Sequence, residues 1–202
     1  MHALIVLSHA DSSSLTHAIA ARLGDAVAAA PDGNTFEIAD LHAEGFDPRF
    51  SAGDRAAHRH KGARPADVVA EQARIERADT VVLVFPVYWW AMPALMKGWI
   101  DRVFSNGWAY DDSGEKVIKK LGHLPVHLVG IGGADMGTYE RHGYLAAMRA
   151  QIDHGIFDYC GAPVMRSELL LESDGSDQSA NLKKAQAIGR DVFARHMRSD
   201  VG

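Results

Sequence analysis

Cysteine is nearly absent from this chain of 202 residues, which contains only Cys160. A single thiol cannot form an intramolecular disulfide, so the cystine framework of small secreted proteins is excluded. We expect Cys160 to be a buried thiol without a redox role. The chain also opens without a charged leader followed by an apolar segment. Together these features predict a cytoplasmic protein.

Long apolar runs and an excess of positive charge are missing as well. The longest mainly apolar stretch, residues 80–90, has about half of the roughly 20 residues that a membrane helix needs, so we expect no membrane insertion. The formal net charge is −5, whereas proteins that bind the phosphate backbone of nucleic acids normally carry a basic excess. The sequence therefore argues against nucleic acid as a partner.

The common nucleotide-binding motifs and a metal-ligand set are also lacking. The loop after the first predicted strand has neither a Walker sequence nor Gly-x-Gly-x-x-Gly, which disfavours nucleoside triphosphate chemistry. The basic stretch 58–64 holds two histidines and could bind a metal or the 2′-phosphate of NADPH. Because it contains no carboxylate or cysteine, we favour a solvated loop and predict no metal site.

Apolar segments of strand length alternate along the chain with segments of helical period. The predicted strands are residues 3–7, 35–39, 80–85, 126–129 and 164–171, and the predicted helices are 15–27, 67–78, 93–104, 145–159 and 182–192. Residues 40–65 show neither period and are predicted to be mainly loop. Such alternation predicts one flavodoxin-like α/β domain over residues 1–202, a three-layer sandwich with a five-stranded parallel sheet of order 2-1-3-4-5.

Ligands of such sheets bind beyond the carboxyl ends of the strands, at the point where the strand order reverses. That point lies here between the first and third strands, so function should reside in the loops 8–16, 86–93 and 130–144. Asp101 and Arg102, in the last turn of a predicted helix, are expected to be surface or helix-end residues and are not assigned to the site.

The first loop places several hydroxyl groups where a helix begins. A helix start presents unpaired N–H groups and partial positive charge, so this loop is a candidate phosphate site, with Ser14 and Thr16 as its ligands. The alternative is that Ser12 to Ser14 only cap the helix.

The second and third loops are candidates for contacts with a flat ligand, the second through aromatic rings and the third through its backbone. Tyr88, Trp89 and Trp90 follow the third strand, and three adjacent aromatic rings cannot all enter the core; the alternative is an aromatic cluster that covers the core. The third loop is rich in glycine, which lets a ligand approach the backbone closely. It also carries Tyr139 and His142 as candidate proton donors.

These loops and their flanks resemble the NAD(P)H:quinone oxidoreductase family of flavodoxin-like enzymes. The most specific part is Phe-Pro-Val-Tyr-Trp-Trp-Ala-Met-Pro-Ala-Leu-Met-Lys-Gly-Trp-Ile-Asp-Arg-Val-Phe at residues 85–104. Further matches are residues 9–16, 40–48, 67–79, 108–110 and 154–161. The resemblance implies FAD as cofactor, with FMN possible, and NAD(P)H as co-substrate.

The resemblance also implies roles for individual residues. Phosphate and ribityl contacts fall on His9, Ser14, Leu15 and Thr16, and isoalloxazine contacts on Pro86, Val87, Tyr88, Trp89 and Trp90. The flavin-facing glycines are Gly132 and Gly133, preceded by Gly130 and Ile131 where the family has two threonines. Tyr139 matches the proton-relay tyrosine. The relay histidine of the family aligns nearer Leu145, so His142 is the candidate substitute.

The activity implied by the resemblance is a ping-pong transfer of two electrons, as hydride, from NAD(P)H to a quinone or similar acceptor. A homodimer is implied, with active sites at its interface and with Trp108 and Tyr110 closing over the flavin as substrate-side residues. Asp112 stands where the family has a second tyrosine. The alternatives are a flavin-binding regulatory subunit of a membrane transporter and a flavodoxin-type electron carrier.

Overall fold

The computed structural model describes residues 1–172 and 178–194. In these ranges the strands are β1 (His2–Leu7), β2 (Thr35–Asp40), β3 (Thr80–Pro86), β4 (Tyr110–Asp111), β5 (Ile118–Lys119), β6 (Val126–Gly132) and β7 (Val164–Leu171). The helices are α1 (Leu15–Ala28), α2 (Ala52–His58), α3 (Ala66–Glu76), α4 (Ala94–Val103), α5 (Met136–Arg141), α6 (Tyr144–Arg149) and α7 (Ser179–Asp191), with a π-helix over Ala150–Asp158.

The main sheet has five parallel strands in the order β2-β1-β3-β6-β7. Counted as the first to fifth strands of this sheet, that order is 2-1-3-4-5, and the predicted fold class is confirmed. After their first residues, His2 and Thr80, strands β1 and β3 are apolar because side chains on both of their faces are covered by helices. Leu4 and Val6 face one buried cluster, and Ile5 and Leu7 face the other.

The two buried clusters define the outer layers. One contains Ile75 of α3, Trp99 of α4 and Phe157 of the π-helix. The other contains Leu23 of α1 and Ile188 of α7. Helices therefore cover both faces of the sheet, and the loops lie at the ends of the strands. None of the helices in residues 1–172 and 178–194 is long and apolar enough to cross a membrane.

Four short elements were not predicted. Helix α2 lies in the segment expected to be mainly loop; Ser51 and Asp54 form a capping box at its start, but only Asp54 and Ala57 are buried. Helix α5 lies in the third loop, and β4 and β5 form a small antiparallel hairpin. Elements this short bury too few side chains to leave a periodic apolar pattern.

The predicted helix over residues 145–159 is divided into α6 and the π-helix. Ile152 and Phe157, five residues apart, are both buried. In an α-helix this spacing places two side chains on different faces, whereas the i to i+5 geometry of a π-helix brings them together. Packing of both side chains against the sheet accounts for the change of helix type.

Arg102 corrects the expectation of a surface residue, because it is only 5% exposed. It donates to Asp54 at 3.0 Å and to Asp67 at 2.6 Å, and it also donates to the backbone oxygen of Asp47 at 2.8 Å. Arg102 thus joins α4 to α2, to α3 and to the segment that precedes α2. The predicted burial of Cys160 is confirmed, and burial raises the pKa of its thiol to about 11.

Asp153 of the π-helix predicts a specific dependence of stability on pH. Burial raises the pKa of its carboxyl, and the hydrogen bond from Ser167 at 3.3 Å compensates only in part. The folded state therefore holds this proton more tightly than the unfolded state. Its contribution to stability is full at low pH and is lost as pH rises from the ordinary carboxyl value, about 3.9, through the raised folded value.

We expect Asp153→Asn to be more stable than the unaltered protein at pH 7, with a difference that shrinks toward pH 4. Urea unfolding between pH 4 and pH 7.5 measures it. Asp158→Asn is the matched control, because the hydrogen bond from Lys119 lowers the pKa of Asp158 and reverses the expected sign. A difference for Asp153→Asn that does not change with pH would contradict the assignment.

Candidate functional site

The carboxyl ends of β1, β3 and β6 lie side by side. Leu7 pairs with Val84, and Phe85 pairs with Gly130. The N–H of Val87 donates to the oxygen of Ile131 at 2.7 Å, which extends the pairing into the loops. The serine loop (residues 8–16), the aromatic turn (residues 87–91) and the residues after β6 therefore leave the sheet at one edge.

Ser14 caps α1, as the capping alternative predicted. Its Oγ accepts from the backbone N–H of His17 at 3.3 Å, and Oγ also lies 2.9 Å from Nδ1 of His17. Thr16, the other predicted phosphate ligand, is only 2% exposed. Ser14 is thus the more accessible of the two hydroxyl groups at this helix start.

Asp11 and His9 shape the first part of the serine loop. Asp11 Oδ1 accepts from Ser13 N at 2.8 Å and from Ser13 Oγ at 2.7 Å, and these bonds lower the pKa of Asp11. His9 Nδ1 accepts from the N–H of Asp11 at 3.0 Å. The loop therefore holds a carboxylate beside the helix start, and an anion bound there must lie on the Ser14 side.

The aromatic turn is a tight reversal of the chain. Tyr88 and Ala91 exchange two backbone hydrogen bonds of 3.1 Å, and both residues between them have left-handed backbones, with φ of 50° at Trp89 and 59° at Trp90. Left-handed non-glycine residues are disfavoured and concentrate at functional sites. Trp89 is 93% exposed, so this turn directs one indole into solvent and the other toward β6.

Four aromatic rings form a cluster beside the end of β6. Tyr139 meets Trp90 edge to face, with centroids 5.2 Å apart at 88°. Tyr144 stacks on Trp90 at 3.8 Å and 11°, and His142 stacks on Tyr144 at 5.2 Å and 25°. Tyr144 was missed by the sequence analysis; its position next to Leu145, where the relay histidine of the family aligns, is the signal that could have found it.

Gly130, Ile131 and Gly132 belong to β6 rather than to the following loop, which corrects the predicted strand end at Val129. A β-carbon on Gly132 would lie 2.5 Å from the hydroxyl oxygen of Tyr139, and one on Gly130 would lie 3.2 Å from Val87. Glycine at these positions therefore lets Tyr139 and the aromatic turn pack directly on the strand end.

Tyr139 is 1% exposed, and burial raises the pKa of its phenol. The phenol is consequently protonated at neutral pH and is able to donate its proton. No ring contact joins His142 to Tyr139 among the described residues; His142 reaches the cluster through Tyr144.

The contacts of Trp108 and Tyr110 within one chain are with residues outside the three loops. Trp108 Nε1 donates to Glu76 at 2.7 Å. The Tyr110 hydroxyl lies 3.3 Å from Nε2 of His58, and its ring meets Tyr159 with centroids 5.1 Å apart. Burial, followed by the charge of Asp112, raises the pKa of Tyr110 to about 12. These contacts do not bring either residue to the aromatic turn of the same chain.

Within the basic stretch, the ring of His58 packs edge to face against the rings of Phe50 and Tyr110. His60 has a left-handed backbone with φ of 55° and lies against Gly107. In residues 1–172 and 178–194, no group of three or more His, Cys, Asp or Glu side chains could hold a metal ion.

The arrangement fits a planar cofactor with a phosphate tail. The capped start of α1 offers backbone N–H groups and the Ser14 hydroxyl, the aromatic turn offers ring faces, and Gly132 lets the Tyr139 hydroxyl lie directly against the strand end. A parallel stack on Trp90 already exists in the form of Tyr144, which shows that this indole presents a face to a flat partner. The site is therefore of the type found at the switch point of doubly wound sheets.

Fold and site define a protein of the flavodoxin-like class, and the family described as Flavodoxin-like fold matches residues 1–191. The NAD(P)H dehydrogenase [quinone] 1 of Rattus norvegicus is 31% identical over 191 residues, covering 83% of this chain and 68% of that protein. The chain belongs to the NAD(P)H:quinone oxidoreductase family of enzymes, which confirms the resemblance seen in the sequence.

Two solved structures are similar to this one in fold. The NAD(P)H:quinone oxidoreductase from Methanothermobacter marburgensis has a TM-score of 0.86 and 26% identity, covering 95% of this chain and 98% of that one. The general stress protein 14 from Treponema denticola, solved in complex with FMN, has a TM-score of 0.61 and 26% identity, covering 96% and 97%.

Proposed function

We propose that this protein is a flavin-dependent NAD(P)H oxidoreductase that passes two electrons, by ping-pong hydride transfer, to a quinone or similar acceptor. The observation that carries the proposal is the contact of Trp90, Tyr139 and Gly132 at the carboxyl end of β3 and β6. The serine loop follows the neighbouring strand β1, so one ligand can contact both the serine loop and the residues at the ends of β3 and β6.

In this proposal the cofactor tail lies at the start of α1 and the ring lies along the aromatic turn. The tail would be held by His9, Ser14, Leu15 and Thr16, and the ring by Pro86, Val87, Tyr88, Trp89, Trp90, Gly130, Ile131, Gly132, Gly133 and Tyr139. The cofactor is FAD or FMN, and the Treponema denticola structure with FMN supports the second as a candidate. When bound, the flavin supplies a site that accepts and returns a hydride.

The side chain of Tyr139 supplies the electrostatic part of the reaction. Its protonated phenol lies over Gly132 and at the edge of Trp90, so it can donate a hydrogen bond to a group on which negative charge develops. His142 stacks on Tyr144, from which it would assist proton exchange with solvent. Packing of Tyr139 in the core keeps the phenol in place.

Replacing Tyr139 by phenylalanine is expected to lower kcat about tenfold, because one hydrogen bond to developing charge is lost while the ring contacts remain. Stopped-flow absorbance of the reductive half-reaction and steady-state kcat are the measurements. Tyr159→Phe is the control, since Tyr159 contacts Tyr110 rather than the aromatic turn, and it should leave kcat unchanged. Equal rates in Tyr139→Phe and the unaltered protein would remove Tyr139 from the mechanism.

The proposed working form is a cytoplasmic homodimer of a single-domain chain, with active sites at the interface. Within one chain the hydrogen bonds of Trp108 and Tyr110 are with Glu76 and His58, and in the dimer the two residues would serve the flavin of the other subunit as substrate-side residues. Exposure of Trp89 beside the site supports an interface there.

Steady-state oxidation of NADH and NADPH with a soluble quinone, in the absence of any protein partner, tests the proposal. We expect the purified protein to show flavin absorption and double-reciprocal plots with parallel lines. A flavin-loaded protein that oxidises neither coenzyme with a quinone would instead favour an electron carrier or a transporter subunit. A protein that binds no flavin would overturn the oxidoreductase proposal and both of these alternatives.

A further inference from the structure

We propose that His17, which no motif assigns to the site, positions the Ser14 hydroxyl for the cofactor phosphate and takes up a proton when that phosphate binds. The proposal rests on the proposed flavin site. It makes His17 a positioning residue, because it acts on the phosphate through Ser14.

The geometry is a hydrogen-bonded chain of three side chains. Ser14 Oγ lies 2.9 Å from His17 Nδ1, and His17 Nε2 lies 2.9 Å from Asp40 Oδ2. The side chains of His17 and Asp40 are 18% and 20% exposed. Asp40, at the end of β2, also accepts from the backbone N–H groups of His42 and Ala43 at 3.1 Å.

The protonation of Asp40 and His17 determines which of two hydrogen-bonding states the Ser14 hydroxyl adopts. Burial raises the pKa of Asp40, but the bonds from His17, Ala43 and His42 outweigh it, so the pKa lies below its usual value and Asp40 is a carboxylate. A carboxylate only accepts, so His17 Nε2 must carry a proton. Nδ1 of a neutral His17 is then unprotonated and accepts a hydrogen bond from the Ser14 hydroxyl.

In that neutral state Ser14 can present only lone pairs to an incoming phosphate. When His17 is protonated, Nδ1 donates to Oγ, which also accepts from the His17 backbone N–H. The hydroxyl proton of Ser14 is then free to point at a phosphate oxygen. The imidazolium adds a positive charge beside an anion, and Asp40 balances that charge when the site is empty.

Three charged or titratable groups, from two segments of the chain, surround His17. Asp40 lies at the end of β2, while Asp11 and His9 lie in the serine loop, with the rings of His9 and His17 edge to face at 6.3 Å. Asp11 and Asp40 both favour the imidazolium, whereas a protonated His9 would oppose it. A bound phosphate adds negative charge and so favours protonation of His17.

Binding of FAD, measured by fluorescence quenching from pH 5.5 to 8.5, tests the inference with riboflavin as the ligand that lacks phosphate. We expect the Kd for FAD to rise about tenfold across this range and the Kd for riboflavin to stay flat, because binding of the phosphate is linked to the uptake of one proton. Calorimetry at pH 7.5 in two buffers of different ionisation enthalpy should show net proton uptake when FAD binds and none when riboflavin binds.

The variant His17→Asn keeps an N–H donor near Ser14 at every pH, so its Kd for FAD should not depend on pH. His42→Asn is the matched control, because His42 is exposed and its backbone, not its ring, contacts Asp40; it should retain the pH dependence. Equal pH profiles for FAD and riboflavin, or a profile that persists in His17→Asn, would overturn the inference while leaving the proposed function standing. Failure of both flavins to bind at any pH would overturn both.

Discussion

Arg102→Met is expected to lower the free energy of unfolding by about 3–5 kcal/mol, because removing one partner of a buried ion pair leaves an uncompensated charge. Asp54, which Arg102 contacts at 3.0 Å, has a side chain only 2% exposed. Methionine keeps the apolar stem of arginine, so the loss reports mainly on the charge. Equilibrium unfolding in urea at pH 7 measures it.

Arg49→Met is the matched control. Arg49 forms a short ion pair with Asp47 at 2.7 Å, but its side chain is 88% exposed, and solvent-exposed pairs of this kind contribute little to stability. The double variant Arg102→Met/Asp54→Asn should recover part of the stability. Equal losses for Arg102→Met and Arg49→Met would contradict the burial of the Arg102 network.

Ser14→Asp is expected to weaken FMN binding at least about 100-fold. Two unit charges about 4 Å apart repel by about 4 kcal/mol at an effective dielectric constant of 20, and a phosphate at the start of α1 would meet the new carboxylate. Aspartate is as good a helix cap as serine, so α1 should keep its start. Fluorescence titration of the apoprotein with FMN gives the ratio of dissociation constants.

Two comparisons separate charge from loss of the hydroxyl group. Ser14→Asn keeps a neutral capping side chain and should cost far less affinity than Ser14→Asp. Riboflavin, which has no phosphate, should bind both variants almost as well as the unaltered protein. Tight FMN binding by Ser14→Asp would place the phosphate somewhere other than the serine loop.

The parts of the fold that were predictable are those with a strong local pattern. Strands β1, β3 and β6 and helices α1, α3 and α4 each bury enough side chains to show period 3.6 or a continuous apolar run. Helix α2 could not be found in this way, because Asp54 is held by Arg102 from another helix. The one polar side chain that this helix buries, Asp54, is held by a contact that no local window contains.

The candidate site was predictable at the level of its loops. A serine-rich helix start after β1 and three aromatic residues after β3 indicate both places, since the end of a parallel strand always reaches the same edge of the sheet. The partners of these residues were not predictable. Nothing in the spacing of Ser14, His17 and Asp40 shows that they form one hydrogen-bonded chain.

Residue order alone was sufficient for the fold class, the strand order and the end of the sheet where the candidate site lies, because these follow from short-range hydrophobic pattern and the handedness of βα units. Packing between distant segments was needed to bury Arg102, to stack Tyr144 on Trp90 and to join His17 to Asp40. Such contacts depend on distances and proton positions across the folded chain, which the order of residues does not contain.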